Sequence, residues 1–243
     1  MELTEDIKMK NLTIKHLFLA MISSLVLFAS CTKKYYEDGG VHSPTYDGTI
    51  LSFLKSRPEL FDTLVKVLEY TKYAELLDNP AANVTFFAPC SQSINRSILA
   101  LNQQLFVRGQ DTIHDVRQVS PEVWEKFLGQ YVYNDKYLLK DYPQLDTANR
   151  LIYPGQGYIS ISGQPMNIGT FYNDVVSKNN AGVEQIIKYA GYRQLMLNYS
   201  NPVATSDIQP TNGVLHVLNF TKHAFGFYTY EFSLNAINTG IIY

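Results

Sequence analysis

Hydrophobic and polar positions change their rhythm several times along this chain. One apolar stretch, Leu17 to Ala29, broken only by Ser23 and Ser24, stands near the N-terminus. From Leu60 the spacing is helical. Leu60, Leu64, Val67 and Leu68 fall on one face, and Ser56-Arg57-Pro58-Glu59 before them reads as a capping box in which the Ser56 hydroxyl accepts from the Glu59 amide. Tyr73 to Leu77 continues as a short helix, stopped by Asn79-Pro80. Val84 to Ala88 is a compact β-rich run closed by Pro89, which cannot donate to a ladder. Ile94, Ile98, Leu101 and Leu105 then return to helical spacing. The polar, irregular stretch Val107 to Val119 reads as an inserted loop or hairpin. Ser120-Pro121-Glu122 opens a further helix whose buried stripe is Trp124, Phe127, Leu128 and Tyr131.

From Asp146 the period is two. Tyr158 to Ser162 alternates, Gly163-Gln164-Pro165 turns, and Met166 to Tyr172 pairs back as a second strand. Tyr192 to Tyr199, Val214 to Phe220 and the aromatic run Phe225 to Leu234 are further strand candidates. Helices first and strands afterwards predict an α+β fold, not a βαβ parallel sheet. There is no internal repeat.

The N-terminal apolar stretch is shorter than the roughly 20 residues that span a bilayer. With Lys8, Lys10 and Lys15 before it, it suits the centre of a secretory signal. Leu27-Phe28-Ala29-Ser30-Cys31 resembles a bacterial lipobox. That resemblance implies cleavage before Cys31, a diacylglycerol on its sulfur, and stable membrane anchoring by several acyl chains. Met9 is an equally good start codon. The glycine-bearing, aperiodic segment after Cys31 reads as a tether. Its Glu37-Asp38 pair resembles surface-export signals of Bacteroidetes lipoproteins.

Composition narrows the function classes. The 243 residues are 46% hydrophobic, enough to bury a real core. A net charge of -2 lacks the basic footprint of a nucleic-acid binder, and no nucleic-acid partner is expected. Two cysteines make neither a disulfide framework nor a four-ligand zinc site. Of the five histidines, His16 lies in the signal and His42 in the tether. His216 and His223 are seven apart, which is no metal-ligand spacing, and His216 reads as a hydrogen-bonded core residue. Cys90, at the start of a helix, reads as structural, and Glu122 and Glu125 as solvated. Without a phosphate loop, a nucleophile elbow or H-E-x-x-H, the sequence offers no catalytic residue, cofactor or metal. Tyrosine (18) and phenylalanine (13) are abundant. Phe227, Tyr228, Tyr230 and Phe232 fit either core and sheet-edge packing or a binding surface.

Three segments, in order, carry a family resemblance. Asn83-Val84-Thr85-Phe86-Phe87-Ala88-Pro89-Cys90-Ser91-Gln92-Ser93-Ile94 resembles the first signature of fasciclin (FAS1) domains. Phe127 to Tyr133 occupies the place of that family's central Tyr-His motif. Ile208 to Leu218, through Asn212-Gly213-Val214-Leu215-His216-Val217, is similar to its second signature. The resemblance implies the FAS1 fold, a twisted β-sheet wedge with helices packed on one side. It makes Phe86, Phe87, Ala88, Pro89, Tyr131, Asn212, Gly213 and His216 structural motif residues. In the last strand Val214, His216 and Leu218 share one face; Leu215, Val217 and Asn219 share the other. Asn-Gly tolerates positive φ and so lets the chain turn tightly before that strand. The sequence departs from the family at Cys90, which replaces a hydroxyl residue, and at Gln130-Tyr131.

The expected organisation is a lipoprotein signal at 1–30, a tether at 31–46, a FAS1 domain at 47–222 with an insertion at about 106–120, and an aromatic C-terminal strand extension at 223–243. The resemblances together imply a non-catalytic adhesion module, lipid-anchored in the outer membrane and facing outward, with an extracellular protein or polysaccharide ligand. The alternative is an accessory lipoprotein of a surface glycan-uptake complex that meets outer-membrane transporter components. Asp62-Thr63-Leu64, Asp111-Thr112-Ile113 and Asp146-Thr147-Ala148 resemble the O-glycosylation motif of Bacteroidetes secreted proteins, which makes Thr112 and Thr147 candidate sites.

Overall fold

Two strands that are buried along their whole length, β2 (Val84–Ala88) and β10 (Gly213–Leu218), lie parallel at the centre of the molecule, with Phe86 opposite Leu215 and Phe87 opposite His216. The computed structural model describes residues 44–179 and 182–242. The readings on the signal, on Cys31 and on most of the tether therefore lie outside the described residues. Around the central pair the sheet continues antiparallel through β3 (Val132–Asn134), β9 (Asn201–Pro210), β8 (Arg193–Leu197), β5 (Pro165–Tyr172) and β4 (Gln156–Ile159), in the order β3-β2-β10-β9-β8-β5-β4. The short β1 (Thr45–Tyr46) adds to the far end of β9 in parallel. Just beyond β4, the Ile161 amide donates to the Val132 carbonyl of β3 at 2.8 Å, so the two ends of the strand order meet and the sheet curls almost into a barrel.

The helices follow from the apolar stripes. α1 (Ile50–Lys55) is capped by Thr49, whose hydroxyl accepts from the Ser52 amide at 3.1 Å. α2 (Pro58–Glu69) buries Phe61, Leu64, Val67 and Leu68. The capping box expected at Ser56 does not form. α1 ends there, so Ser56 serves as its C-cap and donates to the Phe53 carbonyl at 2.7 Å, while Arg57 takes the N-cap position of α2 without a side-chain capping bond. α3 (Tyr73–Asp78) stops before Asn79, as the Asn-Pro pair predicts. α4 (Ser91–Val107) is longer than expected, and the irregular segment shrinks to the residues between it and a 3-10 turn at Val116–Gln118. α5 (Pro121–Leu128) starts as predicted, with Ser120 accepting from the Glu122 amide. It closes before Tyr131, which is buried from a 3-10 turn instead.

Two departures are larger. The C-terminal segment read as a strand is a helix, α6 (Thr229–Thr239), ended by Gly240 at φ 103°. It packs on α4 and α5, and its Phe232, Ser233 and Ala236 recur at helical spacing on the buried side. A hairpin of β6 (Val175–Lys178) and β7 (Glu184–Ile187), unforeseen in the sequence, stands as a separate two-stranded sheet. β2, β5, β8 and β10 fall where expected and β4 starts two residues earlier, whereas β1, β3 and β9 are not foreseen in the sequence; β4 and β5 pair through the Gly163 turn. Among the described residues no helix is long and apolar enough to cross a membrane.

Candidate functional site

The most constrained motif residues are Asn212 and Gly213, in the turn between β9 and β10. Asn212 is wholly buried. Its Oδ1 accepts from the Ile50 amide at 2.9 Å, and its Nδ2 donates to the carbonyls of Leu77 (2.9 Å) and Asn79 (3.0 Å). One side chain thus satisfies the orphan donor at the start of α1 and orphan acceptors at the end of α3. Gly213 does not use the positive φ expected of it. Glycine is required by close approach instead: a Cβ there would overlap the Val84 carbonyl oxygen and sit 2.7 Å from Ile50 Cδ1. Because backbone blocks that Cβ, Gly213→Ala is expected to cost about 2 kcal/mol, read as a lowered urea midpoint.

On the opposite face of the central pair, Phe87 meets His216 (ring centroids 4.9 Å), Tyr133 and Tyr142. His216 is fully buried, as predicted for a core histidine. Its Nδ1 accepts from the Asp207 amide (3.2 Å), so Nε2 carries the hydrogen and donates to the Tyr137 carbonyl (2.9 Å). Burial pulls its pKa down to about 4. The Asp207 carboxylate, 3.9 Å away, therefore faces a neutral ring and makes no ion pair at neutral pH.

Tyr131 anchors a second buried network. Its hydroxyl accepts from the Gly226 amide (2.8 Å) and donates to His223 Nε2 (3.0 Å). His223 Nδ1 donates to Asn201 Oδ1 (2.9 Å), and Asn201 Nδ2 donates to the Leu197 carbonyl (3.1 Å). Thus the tyrosine at the Tyr-His motif position finds an imidazole from a distant loop. No sequence spacing announces that pairing. Burial, helped by the nearby Arg96 charge, drops the His223 pKa to about 3, and burial raises Tyr131 well above its ordinary value. Phe225 and Phe227 stack on Tyr131 at 5.6 and 4.9 Å.

Cys90 is buried at the start of α4, supplies no side-chain cap, and points its thiol at the Leu218 carbonyl (3.6 Å). Burial pushes the thiol up to about 11, so thiolate is scarce at neutral pH. Among the described residues no group of three His, Cys, Asp or Glu is placed to hold a metal. Phe86, Phe87, Ala88 and the Tyr131 ring are core; Pro89 ends β2 where expected.

The outer surface is different in kind. Phe232 is buried and Phe227 half-buried, but Tyr228 and Tyr230 are 66% and 65% exposed, so the aromatic run divides between core and surface. Val176 and Ile186 are exposed on the β6–β7 hairpin. Thr147 is exposed beside Asp146, whose carboxylate caps the Ala148 amide (2.9 Å); Thr112 is half-buried next to Ile113, held at both backbone atoms by Asn102. Thr63 lies within α2. A pocket of about 220 Å³ opens where the β8–β9 turn, the start of α4 and the loop after β10 converge, with Arg96, Lys222 and Tyr228 in its wall.

A profile of the Fasciclin domain matches residues 59–220. Among solved structures the chain is similar to a FAS1 domain pair from the insect cell adhesion molecule fasciclin I, at 18% identity and a TM-score of 0.45. That match covers 70% of this chain and 49% of the domain pair, so the chain spans about half the length of that structure. No curated protein matches. The profile runs from the start of α2 to just past β10, more than half of the 243 residues and through all three signatures, and on that span the chain belongs to the fasciclin domain family.

Proposed function

We propose that this chain is a lipid-anchored module on the outer face of a bacterial outer membrane, and that it works by binding an extracellular protein or polysaccharide, without chemistry. One observation carries the reading. Cys90, His216, His223 and Tyr131, a thiol, two imidazoles and a phenol at or beside the family motifs, are all buried with their polar atoms bonded inward. A general base must reach a proton on substrate, and these rings reach only protein. Membership of the fasciclin domain family supports adhesion as the role.

The anchor and the role are tested together on cells. Cys31→Ala is expected to release the protein from the membrane fraction. Trypsin added to intact cells is expected to degrade the wild-type chain, and deletion to lower attachment to matrix proteins or polysaccharide several-fold. Membrane retention of the alanine variant, protection from trypsin until lysis, or unchanged attachment would each refute the corresponding part. The alternative role, service in a glycan-uptake complex, gains support from the polar pocket and predicts co-purification with transporter components.

A further inference from the structure

We propose that the pocket between the β8–β9 turn, the first turns of α4 and the loop after β10 binds one anionic sugar residue of an extracellular polysaccharide; the proposal rests on the reading of the chain as a binding module. Its wall presents two cations, Arg96 and Lys222, and no aspartate or glutamate. Among the described residues neither cation is in an ion pair. Arg96 is not a swinging side chain: its Nη1 donates to the His223 carbonyl at 2.6 Å, which fixes the guanidinium at the rim. A planar guanidinium held in place is suited to bidentate capture of a carboxylate or a sulfate.

The rest of the wall fits a sugar ring. Tyr228 is exposed and supplies a flat apolar face against which the C–H side of a pyranose stacks. Asn198, Ser200 and Thr221, in the same wall, supply amide and hydroxyl groups. Asn201 also lines the pocket, but its oxygen and nitrogen are committed to His223 and to the Leu197 carbonyl, so it acts as floor and not as ligand. At about 220 Å³ the space lies below the roughly 300–1,000 Å³ of drug-sized sites, so it takes a single ring and leaves neighbouring sugars outside.

The wall is held rigid. Asn198 (φ 48°) and Phe227 (φ 64°) in the wall, and Tyr199 (φ 62°) next to Asn198 in the chain, are left-handed non-glycine residues. Such conformations persist only where surroundings over-determine them. Phe227 is held by stacking on Tyr131 (4.9 Å, 10° between planes), and Tyr199 by the Arg150 guanidinium over its ring (4.6 Å). A preformed wall loses little ordering entropy on binding.

The test uses the purified full-length chain and calorimetric titration with oligogalacturonate, chondroitin sulfate and neutral dextran at 50 and 200 mM salt. Either anionic polymer should bind at least tenfold tighter than dextran and weaken with salt. Binding of oligogalacturonate alone assigns the site to carboxylates, and of chondroitin sulfate alone to sulfates. Arg96→Gln, Lys222→Gln and Tyr228→Ala should each lose affinity, the charge pair together tenfold or more. Among the described residues Lys222 makes no side-chain hydrogen bond or ion pair, so its variant separates binding from folding. Equal binding of dextran, no binding by any polymer, or unchanged affinity in the Arg96/Lys222 double variant would overturn the proposal. Those results leave the cell-attachment experiment unaffected, and the two readings fail independently.

Discussion

Asn212→Ala is expected to destabilise the domain by about 3–6 kcal/mol, measured as a loss in urea unfolding followed by circular dichroism. The removed amide leaves three buried backbone groups, the Ile50 amide and the Leu77 and Asn79 carbonyls, without their partner. Each buried group left unsatisfied costs roughly 1–3 kcal/mol, and a water entering the vacated space recovers part of the sum. Against a total of about 5–15 kcal/mol for a domain, that loss is large. Asn212→Asp separates bonding from volume. It keeps an acceptor for Ile50 but turns an oxygen toward the two carbonyls, so it should be at least as damaging as alanine. A urea midpoint for Asn212→Asp equal to wild type would show that the two carbonyls do not depend on the Asn212 amide.

That clamp shows what local pattern can and cannot disclose. The signature Asn212-Gly213 was recognisable as a signature, but the reason expected for it, positive φ in a tight turn, is not the one the fold uses. The real causes are three distant backbone atoms on α1 and at the end of α3, and the closeness of Val84. None is visible until β10 lies beside β2. By contrast, Val84–Ala88, the α5 start at Ser120-Pro121 and the β4–β5 pair depend on neighbours in sequence, and these were legible.

The misread C-terminus has the same origin. Phe227, Tyr228, Tyr230 and Phe232 carry high β propensity, so an aromatic strand was the local expectation. Tertiary burial overrides it, because Phe232 and Ala236, four apart, face Trp124 and α4. Gly240 just past the end was the available helix-stop signal. β9 escaped because its ten residues hold two prolines and Asp207 without clean alternation. At the candidate site, Tyr228 was legible as a surface aromatic, while Arg96, Asn198 and Lys222 were not: they come from three segments and have no common spacing.

Mild acid should destabilise this domain by several kcal/mol before most of its carboxylates titrate. His216 and His223 have an ordinary pKa of 6.5 when the chain is unfolded, and about 4 and about 3 when folded. The unfolded state therefore takes up protons first as pH falls below 6.5, and stability falls with it until the folded values are reached. At pH 5 each histidine accounts for about 2 kcal/mol, so about 4 kcal/mol in all relative to pH 7.5. Asp174 and Glu125, lowered by their lysine partners, lose stability only toward and below their ordinary range near 4, and Asp207, raised by burial, acts upward from that range in the opposite sense, gaining stability as pH falls and so offsetting part of the histidine loss. Urea midpoints at pH 7.5, 6.0 and 5.0 should fall steeply between the last two. The imidazole nitrogens give a second reading that does not depend on unfolding: at pH 7, nitrogen NMR should find His216 protonated at Nε2 and His223 at Nδ1, with neither ring titrating above pH 5. The opposite tautomers follow from Asp207 donating to one ring and Asn201 accepting from the other. A ring titrating near 6.5, or a urea midpoint flat from pH 7.5 to 5, would mean that water reaches these histidines and that the two buried networks are not closed.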